Sequence, residues 1–463
     1  MANYKNNKKQ NKKASETRKT VLELLIEWEK EGRRFDLMLK GVLDKYNYMD
    51  SRDKAFMSML ARGCVERRIT LDYIIDMYAD TDGKEIKPAI RNILRMGLFQ
   101  VFYMEGIADH AACSESVLLA EEKGFKGLAP FVNGVMRAVL RDRDNIKWPA
   151  LKDDDKSKKI YYSVYYSMPI WIVGILMKQF GADETKAILE SFLTQPGLSV
   201  RVNNISDTAL IKKELDEAGV KYTESEYLPY MLKVGGLEGV SRLKSFADGK
   251  ITVQDVSSAL CTELSGIQPG DKVLDLCAAP GGKATHAAIK AGETGYVTAC
   301  DVSDDKVWLI EDNISRMGLN NIDAVVNDGT VFNKDFEEAF DVVICDAPCS
   351  GLGIMGRKPD IRYNASFDGI NELAGLQKKI LANAVRYVKK GGTLIFSTCT
   401  LTDTENIGGR EYILSLPGMK AAELTNVPDA LKGEPSLKDG YLLLKPGIHK
   451  CDGFFISKYM KGD

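Results

Sequence analysis

The chain has 463 residues, enough for about three domains of roughly 150 residues each. It carries 63 Lys and Arg against 65 Asp and Glu, a formal net charge of −2. This balance excludes a strong global attraction for nucleic acid, so any RNA must be bound by local basic patches.

Cysteine and histidine usage bounds the chemistry and the compartment. The nine cysteines form no Cys-x-x-Cys pair, and the histidines are His110, His286 and His449 only. We therefore predict that no metal is bound. The odd cysteine count and the lack of a secretory signal favour the reducing cytoplasm. A monomer is expected.

The first two segments are a tail and a helical bundle. Residues 1–15 are rich in Lys and Asn, which predicts a disordered basic tail that either is simply solvated or attracts RNA weakly. Residues 16–145 repeat apolar side chains at helical spacing, as in Val21, Leu24, Leu25 and Trp28 and again in Val132, Val135, Met136 and Val139. The opposite face of the latter helix, Asn133, Arg137 and Arg141, is either solvated or in contact with phosphates.

A linker and a small α+β domain follow. Residues 142–159 are dense in charge and contain Trp148-Pro149, which predicts a linker, placed at residues 146–168. Residues 160–177 are uncharged, but their four tyrosines and Pro169 favour a buried helix starting near Pro169 over a membrane span. Residues 169–250 contain the alternating strand Leu198–Val202, whose Arg201, with Asn203 just beyond it, either faces RNA or is solvated.

Residues 251–463 alternate strands with helices, which predicts a parallel, Rossmann-like sheet covered on both faces. The predicted strands are Lys272–Leu276, Gly295–Cys300, Ile322–Val326, Phe340–Cys345 and Thr393–Ser397. Helices are expected at Asp304–Met317 and Leu376–Val388. Ligands of such sheets bind at the carboxyl ends of the strands, where the motifs described next are found.

The first of these motifs is a glycine-rich loop with three candidate ligands. A phosphate-binding Walker loop needs Gly at position 277 and Ser or Thr at 284, where this chain has Cys277 and Ala284. A dinucleotide fingerprint is absent as well. S-adenosylmethionine remains, and the residues predicted to bind it are Cys277, Ala278, Ala279, Pro280, Gly281, Gly282 and Lys283.

Acidic residues at the following strand ends support a nucleoside ligand. Asp301 follows Gly282 by nineteen residues, the usual place for an acid that binds ribose hydroxyls. Asp328 ends the third strand and is predicted to accept a hydrogen bond from the adenine amine. Asp346 ends the fourth and is predicted to border the methyl donor.

These motifs together resemble one enzyme family. Asp275–Lys283, Asp346-Ala-Pro-Cys-Ser-Gly351 and Ser397-Thr-Cys399 are similar to the NOL1/NOP2/Sun family of RNA cytosine-5 methyltransferases. The front segment resembles a NusB-type RNA-binding bundle, most clearly in residues 131–137. The resemblance implies a class I methyltransferase domain that uses S-adenosylmethionine, and the added front domain implies bacterial 16S ribosomal RNA as the substrate.

The resemblance also implies a role for each residue of the catalytic set. Carbon 5 of cytosine becomes nucleophilic once a thiolate adds to carbon 6, and the family assigns that attack to Cys399. Cys349 then helps to remove the carbon 5 proton and to release the enzyme. Asp346 stabilises the activated ring at nitrogen 3, and Lys283 points toward the same space. DNA cytosine methyltransferases attack through the cysteine of a Pro-Cys pair, as in Pro348-Cys349, but they need no counterpart of Cys399.

Two further expectations concern RNA. The segment Arg357–Arg362 lies beside the target base in the family, so RNA contact is predicted there, with a solvated loop as the alternative. The competing functions are cytosine-5 methylation of another RNA, such as transfer RNA, and a non-catalytic RNA-binding factor that keeps the methyltransferase fold.

Overall fold

The computed structural model describes residues 14–46, 48–81, 83–194, 197–235 and 240–462. The tail predicted for residues 1–15 lies outside this range except for Ala14 and Ser15. The chain divides into two units. The first runs to Leu189 and also includes Lys358–Asn364, and the second comprises Glu190–Arg357 and Ala365–Asp463.

The first unit is built of helices, as predicted. They are α1 (Glu16–Glu31), α2 (Phe35–Lys45), α3 (Ser51–Glu66), α4 (Arg68–Tyr78), α5 (Pro88–Tyr103), α6 (Asp109–Glu122), α7 (Ala129–Arg141), α8 (Asp155–Tyr165) and α9 (Ile170–Ser191), the last of which ends just inside the second unit. The apolar repeats of α1 and α7 are buried in one core, as their spacing predicts. On the opposite face of α7, Arg137 and Arg141 are exposed.

Helix α8 lies within the linker predicted at residues 146–168. Asp154 caps this helix by accepting a hydrogen bond from the Ser157 amide (2.8 Å). Asp155 and Lys156, at the end of the charged run that suggested a linker, are exposed on this helix, while Tyr162 is buried. Trp148 stacks on Tyr73 at a centroid distance of 6.2 Å, so the preceding residues are packed as well.

Helix α9 begins just after Pro169 and buries Ile172 and Leu176, as predicted. Among the described residues, no helix has both the length and the apolar character needed to cross a membrane.

The second unit begins with a small antiparallel sheet. Its elements are β1 (Leu198–Val202), α10 (Thr208–Glu217), β2 (Tyr222–Glu224), β3 (Met231–Val234), α11 (Lys244–Ala247) and β4 (Ile251–Val253), with strand order β2-β3-β1-β4. Ile211 and Leu215 of α10 pack in one cluster with Val200 and Val202 of β1. The small α+β domain is therefore confirmed as a fold.

Arg201 of β1 corrects the expectation that it faces RNA or solvent. Its side chain is 1% exposed and donates hydrogen bonds to Gln254 Oε1 (2.6 Å) and to the Gly282 carbonyl (2.8 Å). The alternation of residues along β1 predicted the strand itself correctly. It could not show that the face of the sheet bearing Arg201 packs against the glycine-rich loop.

The remainder forms a large mixed sheet covered by helices. Its elements are α12 (Val256–Ser265), β5 (Lys272–Asp275), α13 (Gly282–Ala291), β6 (Tyr296–Asp301), α14 (Asp304–Met317), β7 (Ile322–Val326), β8 (Phe340–Asp346), α15 (Ile361–Asn364, in the first unit), α16 (Phe367–Tyr387), β9 (Val388–Thr398), α17 (Asn406–Ser415), β10 (Met419–Ala421), β11 (Tyr441–Leu444) and β12 (Phe454–Lys461).

The strand order is β10-β12-β9-β8-β5-β6-β7, with β11 paired to β12. Strands β5 to β9 are parallel, and β12 pairs with β9 in the antiparallel direction. All five predicted strands are present, and the Rossmann-like fold class is confirmed. Because the order reverses between β8 and β5, the loop after β5 lies at the switch point where such sheets bind ligands.

The segment predicted to contact RNA, Arg357–Arg362, is instead largely docked on protein. Arg357 pairs with Asp255 (2.8 Å) in the second unit. Beyond it, the chain enters the first unit, where the Phe35 amide donates to Asp360 Oδ2 (3.1 Å) and the fully buried Arg362 donates to the Ser167 carbonyl (2.9 Å). A charged run without clear periodicity gave no sign of these distant partners.

Candidate active site

The candidate site lies in the second unit, at the carboxyl edge of the parallel strands. Chain segments that follow β5, β6, β8 and β9 bring the predicted residues to this edge, because neighbouring parallel strands end side by side. Asp328 follows β7 at the same edge but is exposed.

The glycine-rich loop between β5 and α13 is fixed by its own backbone and by the next strand. The Ala278 amide donates to the Cys300 carbonyl (2.8 Å), and the Ala279 amide donates to Asp301 Oδ2 (3.0 Å). Gly281 has φ +102°, a left-handed conformation that favours glycine. The loop therefore reaches α13 with its shape determined by contacts within the protein.

The two acids predicted to bind a nucleoside have different surroundings. Asp301 is 5% exposed, and its Oδ1 accepts from the Val302 amide (2.8 Å) and from Lys306 Nζ (2.9 Å). Asp328 accepts from the Thr330 amide (2.9 Å) and hydroxyl (2.7 Å), and these hydrogen bonds lower the pKa of its carboxyl. Hydrogen bonds thus orient both side chains at successive strand ends.

Lys283 and Asp346 form a buried ion pair beside the loop. Lys283 Nζ lies 2.6 Å from Asp346 Oδ2, and the Ser397 hydroxyl donates to Asp346 Oδ1 (2.8 Å). Burial lowers the pKa of the Lys283 ammonium, but Asp346 outweighs this effect and the net pKa is raised. Lys283 therefore remains protonated. Ser397 was not among the predicted residues, although it lies near the end of β9, two residues before Cys399, which directly follows that strand.

The two predicted cysteines meet at the centre of the site. Cys349 Sγ and Cys399 Sγ are 3.3 Å apart, although fifty residues separate them in the chain. Both side chains are half-buried. The hydrogen bond with Cys399 and burial raise the pKa of the Cys349 thiol well above its ordinary value, so Cys349 holds its proton.

The acidic side chains at this edge fit S-adenosylmethionine, a ligand without phosphates. Three carboxylates, Asp301, Asp328 and Asp346, offer acceptors for the hydroxyl, amine and ammonium donors of that molecule. A fourth acid, Asp275, is 1% exposed behind the loop, and burial raises its pKa to about 7. A phosphate ligand would be repelled by the same set. Among the described residues, no cluster of three or more metal-ligating side chains occurs.

Comparison with protein families gives three matches along the chain. Residues 15–141 match the NusB family, and residues 168–237 match the ferredoxin-like domain of RsmF/B-like methyltransferases. Residues 264–460 match the 16S rRNA methyltransferase RsmB/F family.

Curated relatives extend over nearly the whole chain. A probable ribosomal RNA small subunit methyltransferase B of Bacillus subtilis is 33% identical over 453 residues, covering 97% of this chain and 99% of the relative. The ribosomal RNA small subunit methyltransferase B of Cronobacter sakazakii is 30% identical over 459 residues, covering 97% of this chain and all of the relative.

Solved structures share the fold. The crystal structure of PH0851 matches with a TM-score of 0.77 at 24% identity and covers 97% of this chain and all of its own. A methyltransferase homologue from Pyrococcus horikoshii matches with a TM-score of 0.57 at 23% identity and covers 67% of this chain and all of its own.

Proposed function

This chain belongs to the ribosomal RNA small subunit methyltransferase B family, and from that membership we propose that it methylates carbon 5 of a cytosine in 16S ribosomal RNA through a covalent cysteine adduct. S-adenosylmethionine is the methyl donor. The residues proposed to bind it are the loop Cys277–Lys283 with Asp301, Asp328 and Asp346. The proposed setting is the cytoplasm, with the protein acting as a monomer.

One observation supports the covalent mechanism most strongly: the 3.3 Å separation of Cys349 Sγ and Cys399 Sγ at the edge where the donor loop ends. A methyltransferase acting on an oxygen or an exocyclic nitrogen needs no thiol. Carbon 5 of a pyrimidine does, because the ring must first accept a nucleophile at carbon 6.

In the proposed reaction, the Cys399 sulphur forms a bond to carbon 6 while its proton passes through Asp346 to ring nitrogen 3. Asp346 and the ammonium of Lys283 share a proton with ring nitrogen 3, which stabilises the charge that the ring acquires. S-adenosylmethionine supplies the methyl group to carbon 5. The carbon 5 proton then passes to water, the electron pair that it leaves restores the ring double bond, and the bond from carbon 6 to Cys399 breaks. The proton on nitrogen 3 returns through Asp346 to the Cys399 sulphur, and protonated Cys349 assists by donating a hydrogen bond to that departing sulphur.

The target base must leave any helical stack to reach half-buried thiols, which favours a loop of ribosomal RNA over a regular duplex. The helical first unit is proposed to bind RNA near that loop, in keeping with its match to the NusB family. Methylation of a transfer RNA remains the alternative substrate.

Nucleoside analysis tests this proposal. The purified protein is incubated with isotopically labelled donor and either 16S ribosomal RNA or transfer RNA, and the digested nucleosides are separated by mass spectrometry. We expect label in 5-methylcytidine from 16S ribosomal RNA. Label in another nucleoside would refute the carbon 5 chemistry, and label only in transfer RNA would refute the substrate.

A further inference from the structure

Glu405 is a fully buried carboxylate that the proposed mechanism does not use. It lies just before α17, six residues after Cys399, and its side chain is 0% exposed. Among the described residues, no lysine, arginine or histidine pairs with it. A buried charge without a cationic partner is costly unless several donors surround it, so its neighbours indicate its purpose.

Most of these donors belong to, or border, the loop that contains Cys349. The Ser350 amide donates to Glu405 Oε1 (2.8 Å), and the Ser350 hydroxyl donates to Oε2 (2.5 Å). Gln377 Nε2 donates both to Glu405 Oε1 (3.3 Å) and to the Pro348 carbonyl (2.9 Å). The residues on either side of Cys349 are therefore tied to one carboxylate.

Other contacts reach the chain segment that contains Cys399. The Thr402 hydroxyl donates to Glu405 Oε2 (2.6 Å), and the Ser350 hydroxyl lies 2.7 Å from the hydroxyl of Thr400. Asn406, the next residue, donates to the Thr400 carbonyl (3.1 Å). The carboxylate thus accepts from both segments on which the thiols are borne, and only an ionised acid offers enough acceptor positions for these donors.

We propose that Glu405 is a positioning residue that fixes the separation of the two thiols by binding both of the segments that contain them. The proposal rests on the covalent mechanism proposed above and adds a residue to it. The charge of Glu405 also contributes, after the hydrogen bond with Cys399 and burial, to the raised pKa of Cys349. It thereby helps to keep Cys349 protonated and leaves the attack to Cys399.

The test compares Glu405→Gln and Glu405→Asp with the wild type and with Cys349→Ala. Glutamine keeps the shape but replaces one acceptor by a donor, whereas aspartate keeps the charge with a shorter reach. For Glu405→Gln we expect at least a tenfold lower turnover number, donor affinity within twofold of the wild type, and accumulation of a methylated protein–RNA adduct like that of Cys349→Ala. Glu405→Asp should restore part of the turnover and reduce the adduct.

A matched control separates positioning from general loss of stability. Tyr459→Phe deletes another buried hydrogen bond of the second unit, from the Tyr459 hydroxyl to Ser457 (2.9 Å), far along β12 from the thiols. We expect it to lower the unfolding temperature without any adduct. The backbone hydrogen bond from the Gly353 amide to the Cys399 carbonyl (3.0 Å) does not involve Glu405, so we expect every variant to retain it.

The outcomes distinguish this proposal from the mechanism on which it rests. If Cys349→Ala forms an adduct while Glu405→Gln behaves like Tyr459→Phe, the role of Glu405 is refuted and the mechanism stands. If Cys349→Ala forms no adduct, the two-cysteine mechanism itself fails. Ser350→Ala, which removes one donor and keeps the acid, should show a weaker form of the Glu405→Gln result, and a turnover equal to the wild type would also refute the proposal.

Discussion

Two thiols 3.3 Å apart cannot readily both be ionised, because the second negative charge would be repelled by the first. The hydrogen bond with Cys399 and burial raise the pKa of the Cys349 thiol, and the charges of Glu405 and Asp346 add to this effect, so Cys349 is the sulphur that keeps its proton. This asymmetry agrees with the proposed division of roles, in which Cys399 attacks and Cys349 assists release.

The carboxylate of Asp301 permits a prediction about donor binding. Asp301→Asn removes one of the two oxygens that accept from Ala279, Val302 and Lys306, so the loop loses part of its support. The ribose hydroxyl that we propose Asp301 binds loses a charged acceptor. Hydrogen bonds to charged groups contribute roughly 1.5–3 kcal/mol, and we expect donor affinity to fall by about 10- to 150-fold. Calorimetry measures this directly. Asp323→Asn, on the exposed edge of β7, is the control, and equal affinities for both variants would exclude the role.

Asp275 permits a prediction about pH and stability. Its pKa is raised from 3.8 to about 7 by burial, so the folded protein loses stability as the pH rises from about 4 through about 7, by about 1.4 kcal/mol per pKa unit at most. Asp275→Asn imitates the protonated form. Without donor, it should be more stable than the wild type at pH 8 and equal to it near pH 4.

Denaturant unfolding at several pH values checks this expectation. Asp216→Asn, at an exposed position of α10, provides the comparison and should not change the pH profile. A stability difference for Asp275→Asn that is the same at pH 4 and pH 8 would contradict the account.

At the scale of elements, the docked segment Lys358–Asn364 is the largest departure from the sequence-based expectation. Tyr363 donates to the Val65 carbonyl (3.0 Å), and its ring lies 6.0 Å from that of Trp28 in an edge-to-face contact. These residues begin nine positions after Cys349, yet they pack within the helical unit. The cationic side chain of Arg362 therefore makes its hydrogen bonds inside the protein.

Arg362→Met tests this structural role. It leaves the Glu66 and Ser167 carbonyls without their donor, which should cost about 1–3 kcal/mol of unfolding free energy. The salt dependence of RNA binding should not change, because no phosphate contact is lost. Arg34→Met removes an exposed arginine and serves as the control. Wild-type stability combined with a shallower salt dependence would restore the RNA-contact interpretation.

The sequence predicted elements well where one periodicity dominated. The strands of the large sheet alternate or run apolar between turn signals, and the glycine loop, Asp301, Asp346 and both cysteines fall at their ends. Prediction from the sequence failed where the role of a residue depends on a partner that is distant in the chain. The sequence around Arg201 is typical of a strand-edge residue, but in the fold the loop at Gly282 packs on it. The sequence around Glu405 is typical of an acid at a helix start, but in the fold Ser350 lies beside it. No local pattern records such contacts.

At the scale of the whole molecule, the front domain is predicted to position RNA and the carboxyl-terminal domain to bind the donor. The domain boundaries near residues 145, 168 and 250 remain predictions. Helix α8 and the packed Trp148 imply that a cut in this region must be placed with care, because the residues are ordered and not a free tether.

Cleavage near residue 150 tests whether the front domain positions RNA while the carboxyl-terminal domain binds the donor. With a protease site inserted there, the isolated carboxyl-terminal fragment should bind the donor as the uncleaved protein does but methylate ribosomal RNA at least tenfold more slowly. The uncleaved protein with the same insertion is the matched control. Full activity of the fragment would mean that the front domain is dispensable for recognition.

Denaturing gel electrophoresis of the protein incubated with donor and ribosomal RNA tests whether the two cysteines act by covalent catalysis. Cys349→Ala should form the carbon 6 adduct, transfer the methyl group and stall as a protein–RNA complex that survives denaturation. Cys399→Ala and the double variant should form none, and Cys300→Ala, which removes a buried thiol from β6, should turn over normally. A complex from Cys399→Ala instead of Cys349→Ala would reverse the roles, and the absence of a complex from every variant would contradict the mechanism.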